Sequence, residues 1–544
     1  MNHSNSNNLF HAFDSYKPKP NQDWQLHSSD EQDKLVSQSH DESYLLNPMA
    51  VFIWTFCDGK TEVRAIRAAL QAVFIENKAD IAKDLFNLLK LWQENEFIAF
   101  EIPRKKRQHH KLCIGMATYD DFDGVYFSVQ AIRCYHPEVA DEIGIVVVDN
   151  HPHGAIAQEL QQLETAIPNY YYVPYTEQTG TTVKHIVFCE ADADYILCID
   201  SHVLIMPGAI RKLIDFLDDN PDCYDLLQGP LVRDDLSTLS THMDLEWDRG
   251  MYGIWGRDAR GDNIEGDVFE IAMQGMGLFA CRKEAWVGFN PRFRGFACEE
   301  GYIHEKFRQQ GRRTLCLPFL RWLHRFPRPL KIPYEKSWED RIYNFFVGYD
   351  ELGLEYGPIE KHFIEQIGRE QTEKIVSQVK QELENPFYFF DAIYCINLDS
   401  QTAHWDKMQA GFQKLGILQR IRRFSAIETN PDVGYTLSHR HIIERAKRQG
   451  LKNVLVIEDE AIFQDDIELH LQGRIEKLKQ QDWTFFDLNE GTQLETRFQA
   501  IAYHQSIFIE LLENMPSDSE SMKVWLQTHT NLQQWLTQRY SITG

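Results

Sequence analysis

The amino-acid sequence predicts a multidomain protein built mainly of α/β domains. Its 544 residues exceed the roughly 250–300 at which a single hydrophobic core stops growing. From residue 112 onwards, short apolar runs such as LCIGMAT and GIVVVDN alternate with segments of helical spacing such as GVYFSVQAIRCY. This alternation is typical of a parallel sheet covered by helices. It begins again at residue 389, after a charged helical stretch at 362–385, so we expect two α/β domains in tandem.

The N-terminal part of the sequence divides into a tail and a small helical domain. Residues 1–38 are rich in Asn, Ser, Gln and Asp, and we expect them to be disordered. The dipeptide Asn47-Pro48 is a helix-start signal in front of apolar residues at helical spacing, and Asp58-Gly59 ends that helix as a turn. Two more helices are expected, over 61–74 and 81–95.

Composition and charge restrict the classes of partner. The chain carries 81 acidic and 56 basic residues, for a net charge of −25, so we expect no nucleic-acid partner and no anionic membrane surface. The basic run PRKKRQHHK at 103–111 is interpreted as a linker, with a nucleic-acid patch as the alternative. We expect no integral membrane segment and no signal peptide. The ten cysteines occur singly, without a CxxC pair, which predicts reduced thiols and a cytoplasmic location.

Polar residues follow three of the predicted strands in the domain at 112–335. They are Thr118-Tyr119-Asp120-Asp121, Asp149-Asn150 and Asp200-Ser201-His202. Ligands of open α/β sheets bind outside the carboxyl ends of the strands, and a carboxylate with an imidazole suits a divalent ion such as Mn²⁺. Such a cation would let an acidic protein bind an anionic nucleotide sugar, and it would neutralise the leaving diphosphate during sugar transfer. The alternative is that Asp200 caps a turn and His202 lies there passively.

A block of motifs near the end of this domain narrows the class of protein. GLFACRKEAW lies at 277–286, followed by Cys298-Glu299-Glu300-Gly301 and then by Leu323-His324-Arg325-Phe326. In this order, behind the strand-end residues, the motifs resemble those of the family 2 glycosyltransferases, and more closely those of the polypeptide N-acetylgalactosaminyltransferases. The resemblance implies the GT-A fold of nucleotide-diphospho-sugar transferases.

The same resemblance implies a metal site and a donor site. A Mn²⁺ or Mg²⁺ ion would be held by Asp200, His202 and His324, and a UDP-sugar would be the donor substrate. Asp149 would accept a hydrogen bond from the base. Apart from the resemblance, Lys184 is a candidate partner of the diphosphate. The full set expected to contact the nucleotide sugar is Thr118, Tyr119, Asp121, Asp149, Lys184, Asp200, Trp255, Gln274 and Gly275.

Glu299 and Glu300 are the expected catalytic residues, because the resemblance places them against the acceptor. In inverting relatives one such carboxylate is the general base that deprotonates the acceptor hydroxyl, whereas in retaining relatives the corresponding residues position substrates. The Glu-Glu pair differs from the Glu-Asp and Glu-Asn forms of the family, which leaves the stereochemical outcome open. The alternative role of the pair is to place negative charge at the N-terminus of a helix.

The segment WDRGMYGIWGRDARGD at 247–262 has neither helical nor strand spacing. Its aromatic residues, Trp255 among them, would stack on a sugar ring, and its glycines would allow a lid to move. A packed Trp cluster beneath an irregular loop is the alternative.

The two flanking domains also resemble known families. SYLLNPMAVFIWTFCDG with the helices behind it is similar to PqqD, a winged-helix-like domain in which an edge strand and its neighbouring helix bind a leader peptide, with a purely structural cap as the alternative. The C-terminal part, beginning DAIYCINLD, resembles the lipooligosaccharide-type family 25 glycosyltransferases, with Glu458-Asp459-Glu460 where Glu-Asp-Asp is usual. Two roles of this C-terminal part remain open, that of a second transferase and that of an accessory domain. The candidate residues there are Asn397, Asp399, Ser438, His439, Glu458, Asp459 and Glu460.

The sequence thus predicts a metal-dependent transferase that moves a sugar from a UDP-sugar to an acceptor. That acceptor is expected to be a ribosomally made precursor peptide held by the N-terminal domain, with a cell-surface glycan such as lipopolysaccharide or capsule as the alternative. A catalytically inactive scaffold that binds sugar nucleotides is the third interpretation. The expected segments are a disordered tail at 1–38, a PqqD-like domain at 39–102, a linker at 103–111, a GT-A domain at 112–335, a helical connector at 336–388 and a family 25-like domain at 389–544.

Overall fold

The computed structural model divides the chain into two compact units, Met1–Arg107 and Gln108–Gly544. Among the residues that the structure describes, no helix is both long and apolar enough to cross a lipid bilayer. The described residues are 16–21, 23–28, 32–38, 42–73, 78–95, 97–101, 105–325, 336–427, 431–463, 467–480, 482–488 and 499–514.

In its described residues, the N-terminal unit combines short strands with three helices. Its strands are β1 (Lys17–Pro20), β2 (Trp24–Ser28), β3 (Asp33–Ser37), β4 (Ser43–Leu46) and β5 (Ile98–Glu101), and its helices are α1 (Pro48–Trp54), α2 (Val63–Val73) and α3 (Lys78–Glu94). Strands β2, β3 and β4 form an antiparallel sheet in that order, and β1 pairs with β5. Helix α1 begins at Pro48 because the Asn47 side chain accepts the backbone N–H of Ala50 at 2.8 Å.

The prediction of a disordered tail at 1–38 is wrong for the residues that form β1, β2 and β3. These strands are ordered because Tyr16, Trp24 and Leu35 are buried in the hydrophobic core of the unit. Only part of each strand is buried, so polar residues dominate their sequences and conceal the strand spacing. Residues 1–15 lie outside the described part of the chain.

The larger unit contains the main α/β domain, whose strands β6 to β19 form two sheets and a hairpin. They are β6 (His110–Thr118), β7 (Ile143–Asp149), β8 (Tyr170–Pro174), β9 (Ala193–Asp200), β10 (Val203–Ile205), β11 (Leu226–Gln228), β12 (Leu231–Val232), β13 (Leu239–Ser240), β14 (His242–Asp248), β15 (Met251–Gly256), β16 (Phe269–Glu270), β17 (Leu278–Arg282), β18 (Thr314–Cys316) and β19 (Trp322–His324). The main sheet has the order β16-β18-β11-β17-β9-β6-β7-β8. Strands β6, β7, β8 and β9 run parallel, and β17 pairs antiparallel with β9. The predicted α/β class of the fold is confirmed.

Helices cover both faces of the main sheet. They are α4 (Phe122–Tyr135), α5 (Ala157–Ala166), α6 (Lys184–Glu190), α7 (Ala209–Asp219), α8 (Glu299–Gln309), α9 (Trp338–Leu352), α10 (Gly357–Ile367) and α11 (Arg369–Glu384). Alternate residues of β7 enter two different hydrophobic clusters: Val146 and Val148 pack in one, and Ile145 and Val147 in the other. This alternation follows from the two-residue repeat of a strand, and it explains why β7 appears in the sequence as an unbroken apolar run.

The helical connector predicted at 336–388 is part of the core of the main domain. Ile342 and Phe346 on α9 and Phe363 on α10 are fully buried in the same cluster as Val146 of the main sheet. The high charge of this segment indicates a solvated connector only if the helices stand alone. Here the charged residues occupy the outer faces, and the inner faces complete the core.

The segment at 247–262, expected to be irregular, lies largely in an antiparallel hairpin of β14 and β15. Its turn is formed by Arg249-Gly250, both with positive φ, of 48° and 74°. Trp247 packs against Phe345 of α9 and His362 of α10, with ring centroids 4.7 Å and 4.8 Å apart. The aromatic residues at the tip of this hairpin therefore belong to a packed cluster, which is the alternative that the sequence left open.

The C-terminal domain is a second, smaller α/β domain. Its strands are β20 (Ala392–Asn397), β21 (Ile421–Ser425), β22 (Asn453–Glu458), β23 (Phe485–Asp487) and β24 (Ala500–His504), and its helices are α12 (Thr402–Lys414), α13 (Pro431–Arg448), α14 (Ile467–Leu478) and α15 (Gln505–Asn514). The sheet order is β21-β20-β22-β24-β23, with β20 parallel to both of its neighbours and β24 antiparallel to β22.

Candidate functional site

Three parallel strands of the main sheet end side by side at an open cleft. The ladder pairs Thr118 with Asp149 and Ala117 with Asp200, so β6, β7 and β9 finish at the same edge. We call this the strand-end cleft. The predicted site residues that line it are Thr118, Tyr119, Asp121, Lys184, Asp200, His202, Glu299 and Glu300.

Asp200, His202 and His324 form a group with the spacing of metal ligands. Each offers one ligand atom, and these atoms all lie within 4.8 Å of one another. His324 arrives from a distant part of the chain because β19 pairs antiparallel with β10 and sets His324 opposite Val203, the residue after His202. The His324 Nε2 atom lies 3.1 Å from His202 Nε2 and 3.1 Å from Asp200 Oδ2. In the described part of the chain, no other group of His, Cys, Asp and Glu residues has this spacing.

Asp121 fixes the ring of His202 from behind. Its carboxylate accepts hydrogen bonds from His202 Nδ1 and Ser201 Oγ, both at 2.9 Å, and pairs with Arg325 at 3.0 Å. Burial raises the pKa of Asp121, but the hydrogen bonds from His202 and Ser201 outweigh it and hold that pKa well below its ordinary value. Because a carboxylate only accepts, the His202 proton lies on Nδ1 and the Nε2 lone pair faces His324. That tautomer is the one a metal ligand needs.

Lys184, the first residue of α6, is a buried cation within the cleft. Its Nζ atom lies 2.7 Å from Asp200 Oδ1 and donates to the Met276 carbonyl at 2.8 Å. Burial lowers the pKa of Lys184, but the charge of Asp200 outweighs it and holds that pKa above its ordinary value. Burial in turn raises the pKa of Asp200, and Lys184 with His324 holds it well below the ordinary value. Asp200 therefore stays ionised, with one oxygen on Lys184 and the other facing His324.

Glu299 and Glu300 begin α8 after a sharp bend of the chain. The bend is made by Ala297 and Cys298, whose φ values of 94° and 79° are strained for side-chain-bearing residues, by about 1–3 kcal/mol each. Burial raises the pKa of both carboxyls, and with the nearby charge of Glu299 the pKa of Glu300 reaches about 8. Glu299 Oε2 is buried and has no hydrogen-bond partner among the described residues. At neutral pH the pair therefore retains a proton.

Some residues expected to contact the nucleotide sugar lie outside the lining of the strand-end cleft: Asp149, Trp255, Gln274 and Gly275. Asp149 is fully buried and accepts the Tyr172 hydroxyl at 2.7 Å. Gln274 is fully buried and donates to two backbone carbonyls at 3.1 and 2.7 Å. Trp255 packs so closely on Gly275 that a Cβ there would lie 2.8 Å from its ring. All of them have structural contacts, and their proposed ligand contacts stay predictions.

The cleft also contains residues that the sequence patterns did not indicate, namely Gly180, Thr181, Met276 and Phe296. Gly180 has a φ of 136°, and a Cβ there would lie 2.0 Å from the backbone oxygen of Gly295. Glycine is needed at this position because two backbone segments touch. The dipeptide Gly180-Thr181, at the start of the 3-10 turn Thr181–Val183 that leads into α6, is the signal that would have identified this loop.

One half of the candidate site in the C-terminal domain is an ion-paired cluster at the end of β20. Asn397 donates to Asp459 at 2.6 Å and accepts from Arg423 at 2.7 Å. Arg423 also pairs with Asp399 at 2.8 Å. Both carboxylates of this cluster thus have a hydrogen-bond partner within the domain.

The other half of that site lies on α13 and at the end of β22. His439 is buried and bridges Glu458, at 3.0 Å, and the Tyr503 hydroxyl, at 3.0 Å. Ser438 is buried and accepts the backbone N–H of Ile427 at 3.1 Å, whereas Glu460 is exposed. Among the described residues, these side chains do not form a group with metal-ligand spacing.

Three segments of the chain match models of known protein families. Residues 35–98 match coenzyme PQQ synthesis protein D (PqqD), residues 113–279 match glycosyl transferase family 2, and residues 360–543 match glycosyltransferase family 25 (LPS biosynthesis protein). Two of these segments therefore resemble glycosyltransferase families. The family resemblances predicted from the sequence are confirmed. No curated protein matches this chain in sequence.

Solved structures similar to this chain share little sequence with it. GalNAc-T7 with UDP, GalNAc and Mn²⁺ is 12% identical, with a TM-score of 0.36 over 53% of this chain and 57% of that chain. Residues 1–349 of S. aureus TarS are 14% identical with a TM-score of 0.29, and the same segment in complex with UDP-GlcNAc is 13% identical with a TM-score of 0.31. Both TarS matches cover 70% of this chain and 98% of the other. The chain thus spans little more than half of the GalNAc-T7 structure.

Proposed function

We propose that this protein transfers a sugar from a UDP-sugar to an acceptor in a reaction that depends on a divalent cation. The observation that carries the proposal is the group Asp200, His202 and His324, whose ligand atoms lie within 4.8 Å of one another. Asp200 and His202 belong to the segment that matches glycosyl transferase family 2. A nucleotide diphosphate is anionic and the chain has a net charge of −25, so the cleft needs local positive charge. Lys184 and a bound cation would supply it.

The three side chains fit a divalent cation. Adjacent ligands of an octahedral ion with bonds of about 2.1 Å lie about 3 Å apart, and His324 Nε2 lies 3.1 Å from its neighbours on both His202 and Asp200. Two imidazoles with one carboxylate favour Mn²⁺, because Mg²⁺ prefers oxygen ligands. When bound, the cation would neutralise the charge that the leaving diphosphate gains.

The chain's own residues would orient the two substrates. Asp121 holds His202 with its Nε2 atom toward the ligand group. Lys184, fixed 2.7 Å from Asp200, would pair with a phosphate oxygen of the donor. Glu299 and Glu300 would accept hydrogen bonds from the acceptor, and in an inverting reaction one of them would take the proton of the acceptor hydroxyl.

We further propose that the acceptor is a precursor peptide bound by the N-terminal unit. Strand β4 is an edge of the β2-β3-β4 sheet, so its outer side can pair with an extended peptide. Tyr44 and Leu45 on this strand are 42% and 67% exposed, and Met49 on the adjoining α1 is 38% exposed. Apolar side chains beside an open strand edge suit a peptide with apolar residues, and the PqqD match of this segment supports the proposal. The cytoplasmic location stays a prediction.

Release of UDP from candidate UDP-sugars tests the donor reaction. With Mn²⁺ we expect the full chain to consume one UDP-sugar, EDTA to stop the reaction and added Mn²⁺ to restore it. Asp200→Ala should lower the rate at least about 100-fold, the size of effect seen when one electrostatic contact to a developing charge is removed. His109→Ala is the matched control, because His109 is exposed and pairs with Asp192 at the opposite end of β6.

Two results would contradict this function. UDP binding without cleavage of any UDP-sugar would favour the inactive scaffold, and an unaffected Asp200→Ala variant would exclude the proposed cation site. Mass spectrometry of the products distinguishes between the two candidate acceptors. Transfer to precursor peptides encoded beside the gene supports the peptide, whereas transfer to lipopolysaccharide or capsule fragments alone supports the glycan alternative.

A further inference from the structure

One segment of the main domain has the strand-end cleft on one side and the C-terminal domain on the other. This segment, 177–190, comprises the loop after β8 and helix α6. Its cleft-lining residues are Gly180, Thr181 and Lys184. Its residues that bind the C-terminal domain are Glu177, His185 and Glu190. The cleft-lining residues lie between Glu177 and His185, so a displacement of either side of the segment would move the other.

Glu177 holds the loop end of the segment against basic residues of the C-terminal domain. Its carboxylate pairs with Arg445 of α13 at 3.0 Å, accepts the Tyr394 hydroxyl at 3.4 Å and lies 4.0 Å from Arg422. The Glu177 side chain is only 18% exposed. A carboxylate enclosed to this degree needs its cationic partners, so the position of the loop depends on the C-terminal domain.

Glu190 holds the helical end of the segment in the same way. Its side chain is 5% exposed and accepts a hydrogen bond from the guanidinium of Arg448, the last residue of α13. Helix α13 thus contacts both ends of the segment, through Arg445 and Arg448.

His185 joins the two domains through a single tautomer. The Trp286 Nε1–H of the main domain donates to His185 Nδ1 at 2.9 Å, so the ring proton lies on Nε2 and is donated to the Gln449 carbonyl at 3.1 Å. Burial lowers the pKa of His185 to about 4, so the ring is neutral at pH 7 and keeps both bonds. Gly450 follows with a φ of 63°, and a Cβ there would lie 2.9 Å from the ring. The backbone after α13 therefore packs directly on His185.

We propose that the C-terminal domain is a positioning domain for the strand-end cleft, because α13 and the residue after it fix segment 177–190 and with it Lys184. Lys184 and His185 are consecutive residues of a seven-residue helix. One reaches Asp200 in the cleft and the other reaches Gln449 of the C-terminal domain. The inference rests on the proposed function, since it takes Lys184 as a contact of the donor diphosphate. Arg445 and Arg448 are then positioning residues for donor binding.

The affinity of the full chain for UDP in the presence of Mn²⁺, measured by isothermal titration calorimetry, tests this inference. We expect the double variant Arg445→Ala with Arg448→Ala to bind UDP about tenfold more weakly, a typical effect of residues that couple sites without touching the ligand. Arg440→Ala is the control, because Arg440 lies on the same helix and faces Glu444 of that helix at 3.9 Å. It should leave UDP binding unchanged.

A charge exchange distinguishes positioning from general loss of stability, and it replaces the double alanine variant if that variant fails to fold. Arg448→Glu should weaken UDP binding, and adding Glu190→Arg to the same chain should restore it. In a Lys184→Met background, Arg448→Glu should have little further effect, because the arginine acts through Lys184.

Two outcomes would overturn the inference, and they can be told apart. A folded Arg448→Glu chain with wild-type affinity for UDP would overturn the positioning role and leave the proposed function standing. A wild-type chain that binds no UDP with Mn²⁺ would overturn both.

Discussion

The imidazole rings of His202 and His324 meet through their Nε2 atoms at 3.1 Å, with their planes at 82°. Asp121 accepts the Nδ1 proton of His202, so the lone pair of His202 Nε2 points at His324. Asp200 Oδ2, a further acceptor, lies 3.1 Å from the same His324 nitrogen. Two imidazole nitrogens and a carboxylate oxygen thus converge on one region, an arrangement that a cation stabilises.

Loss of His324 should abolish stabilisation of the fold by Mn²⁺. In the wild-type chain, Mn²⁺ at 100 times its dissociation constant should raise the free energy of unfolding by about 2.7 kcal/mol, which thermal unfolding measures as an upward shift of the midpoint. His324→Ala should show little shift at the same concentration, and its sugar transfer should fall at least about 100-fold. His109→Ala should keep the full shift. An equal shift in wild type and His324→Ala would show that Mn²⁺ binds elsewhere.

Asp121→Asn tests whether this carboxylate orients His202. The neutral amide of this variant cannot replace the charged carboxylate that accepts hydrogen bonds from both His202 and Ser201. We therefore expect the affinity for Mn²⁺ to fall by about 10–100-fold, as for other groups that orient a metal ligand. Titration with Mn²⁺ followed by electron paramagnetic resonance measures this affinity directly. With saturating Mn²⁺, the Asp121→Asn variant should bind UDP as tightly as the wild-type chain. If Asp121→Asn binds Mn²⁺ as tightly as wild type, Asp121 serves the nucleotide and not the cation site.

The strand-end residues could be predicted from the sequence because parallel strands place their carboxyl ends at one edge. Thr118, Asp121, Asp200 and His202 follow long apolar runs, and a sheet built from those runs brings them together without further information. His324 is different. Its position depends on the pairing of two three-residue strands, β10 and β19. Strands of this length are too short to show the two-residue repeat of apolar residues by which a strand is predicted. Only the order of motifs in a known family indicated it.

The parts of the fold that the sequence failed to predict share a physical cause. In β2 and β3, only Trp24, Leu35 and Ser37 are buried, so composition indicates a polar tail. In α9 to α11, charged outer faces conceal an inner face that includes Phe346 and Phe363. Which face of a helix or strand is buried depends on the element that packs against it. The local composition carries no information about that partner. The enclosed positions of Asp149 and Gln274 were not predictable for the same reason.

Sugar transfer should increase with pH through about 8 if Glu300 is the general base. A general base must be deprotonated, and burial with the charge of Glu299 raises the pKa of Glu300 from its ordinary value of 4.5 to about 8. The pH–rate profile of the wild-type chain should therefore rise between pH 6 and about 9, and Glu300→Gln should lose this rise together with most of the rate. A flat profile in the wild type would exclude Glu300 as the base.

The raised pKa of Glu300 also predicts that the stability of the fold decreases as the pH rises, whereas the rate of sugar transfer increases. The folded state binds the Glu300 proton more tightly than the unfolded state, so its contribution to stability is full below pH 4.5 and is lost as the pH rises through about 8. Glu300→Gln cannot ionise and should gain stability relative to wild type as the pH rises from 5 to 8. Chemical denaturation at both pH values measures the difference. A constant difference between the two chains would contradict the raised pKa.

Gly180→Ala should weaken UDP binding, because it separates two loops beside the cleft. The new Cβ would lie 2.0 Å from the backbone oxygen of Gly295, and the bond from Thr181 N to that oxygen, now 3.0 Å, would be lost. Gly208→Ala is the control: Gly208 has a φ of 78° with no atom within 4 Å of the added carbon. It should lose about 1–2 kcal/mol of stability from backbone strain and keep its UDP affinity. Equal UDP affinities in both variants would exclude a role for this loop in donor binding.

Leu45→Glu should weaken binding of a precursor peptide about tenfold, the usual effect of removing one apolar anchor at an interface. Leu45 is 67% exposed on the edge strand β4, so the substitution places a charge where an extended peptide would pack and leaves the core intact. Leu91→Glu is the matched control, since Leu91 is 52% exposed on α3, outside this edge. Fluorescence anisotropy of a labelled leader peptide measures both, and UDP release without peptide should be equal in the two variants. If the two substitutions weaken peptide binding equally, or neither does, β4 is not the peptide-binding edge.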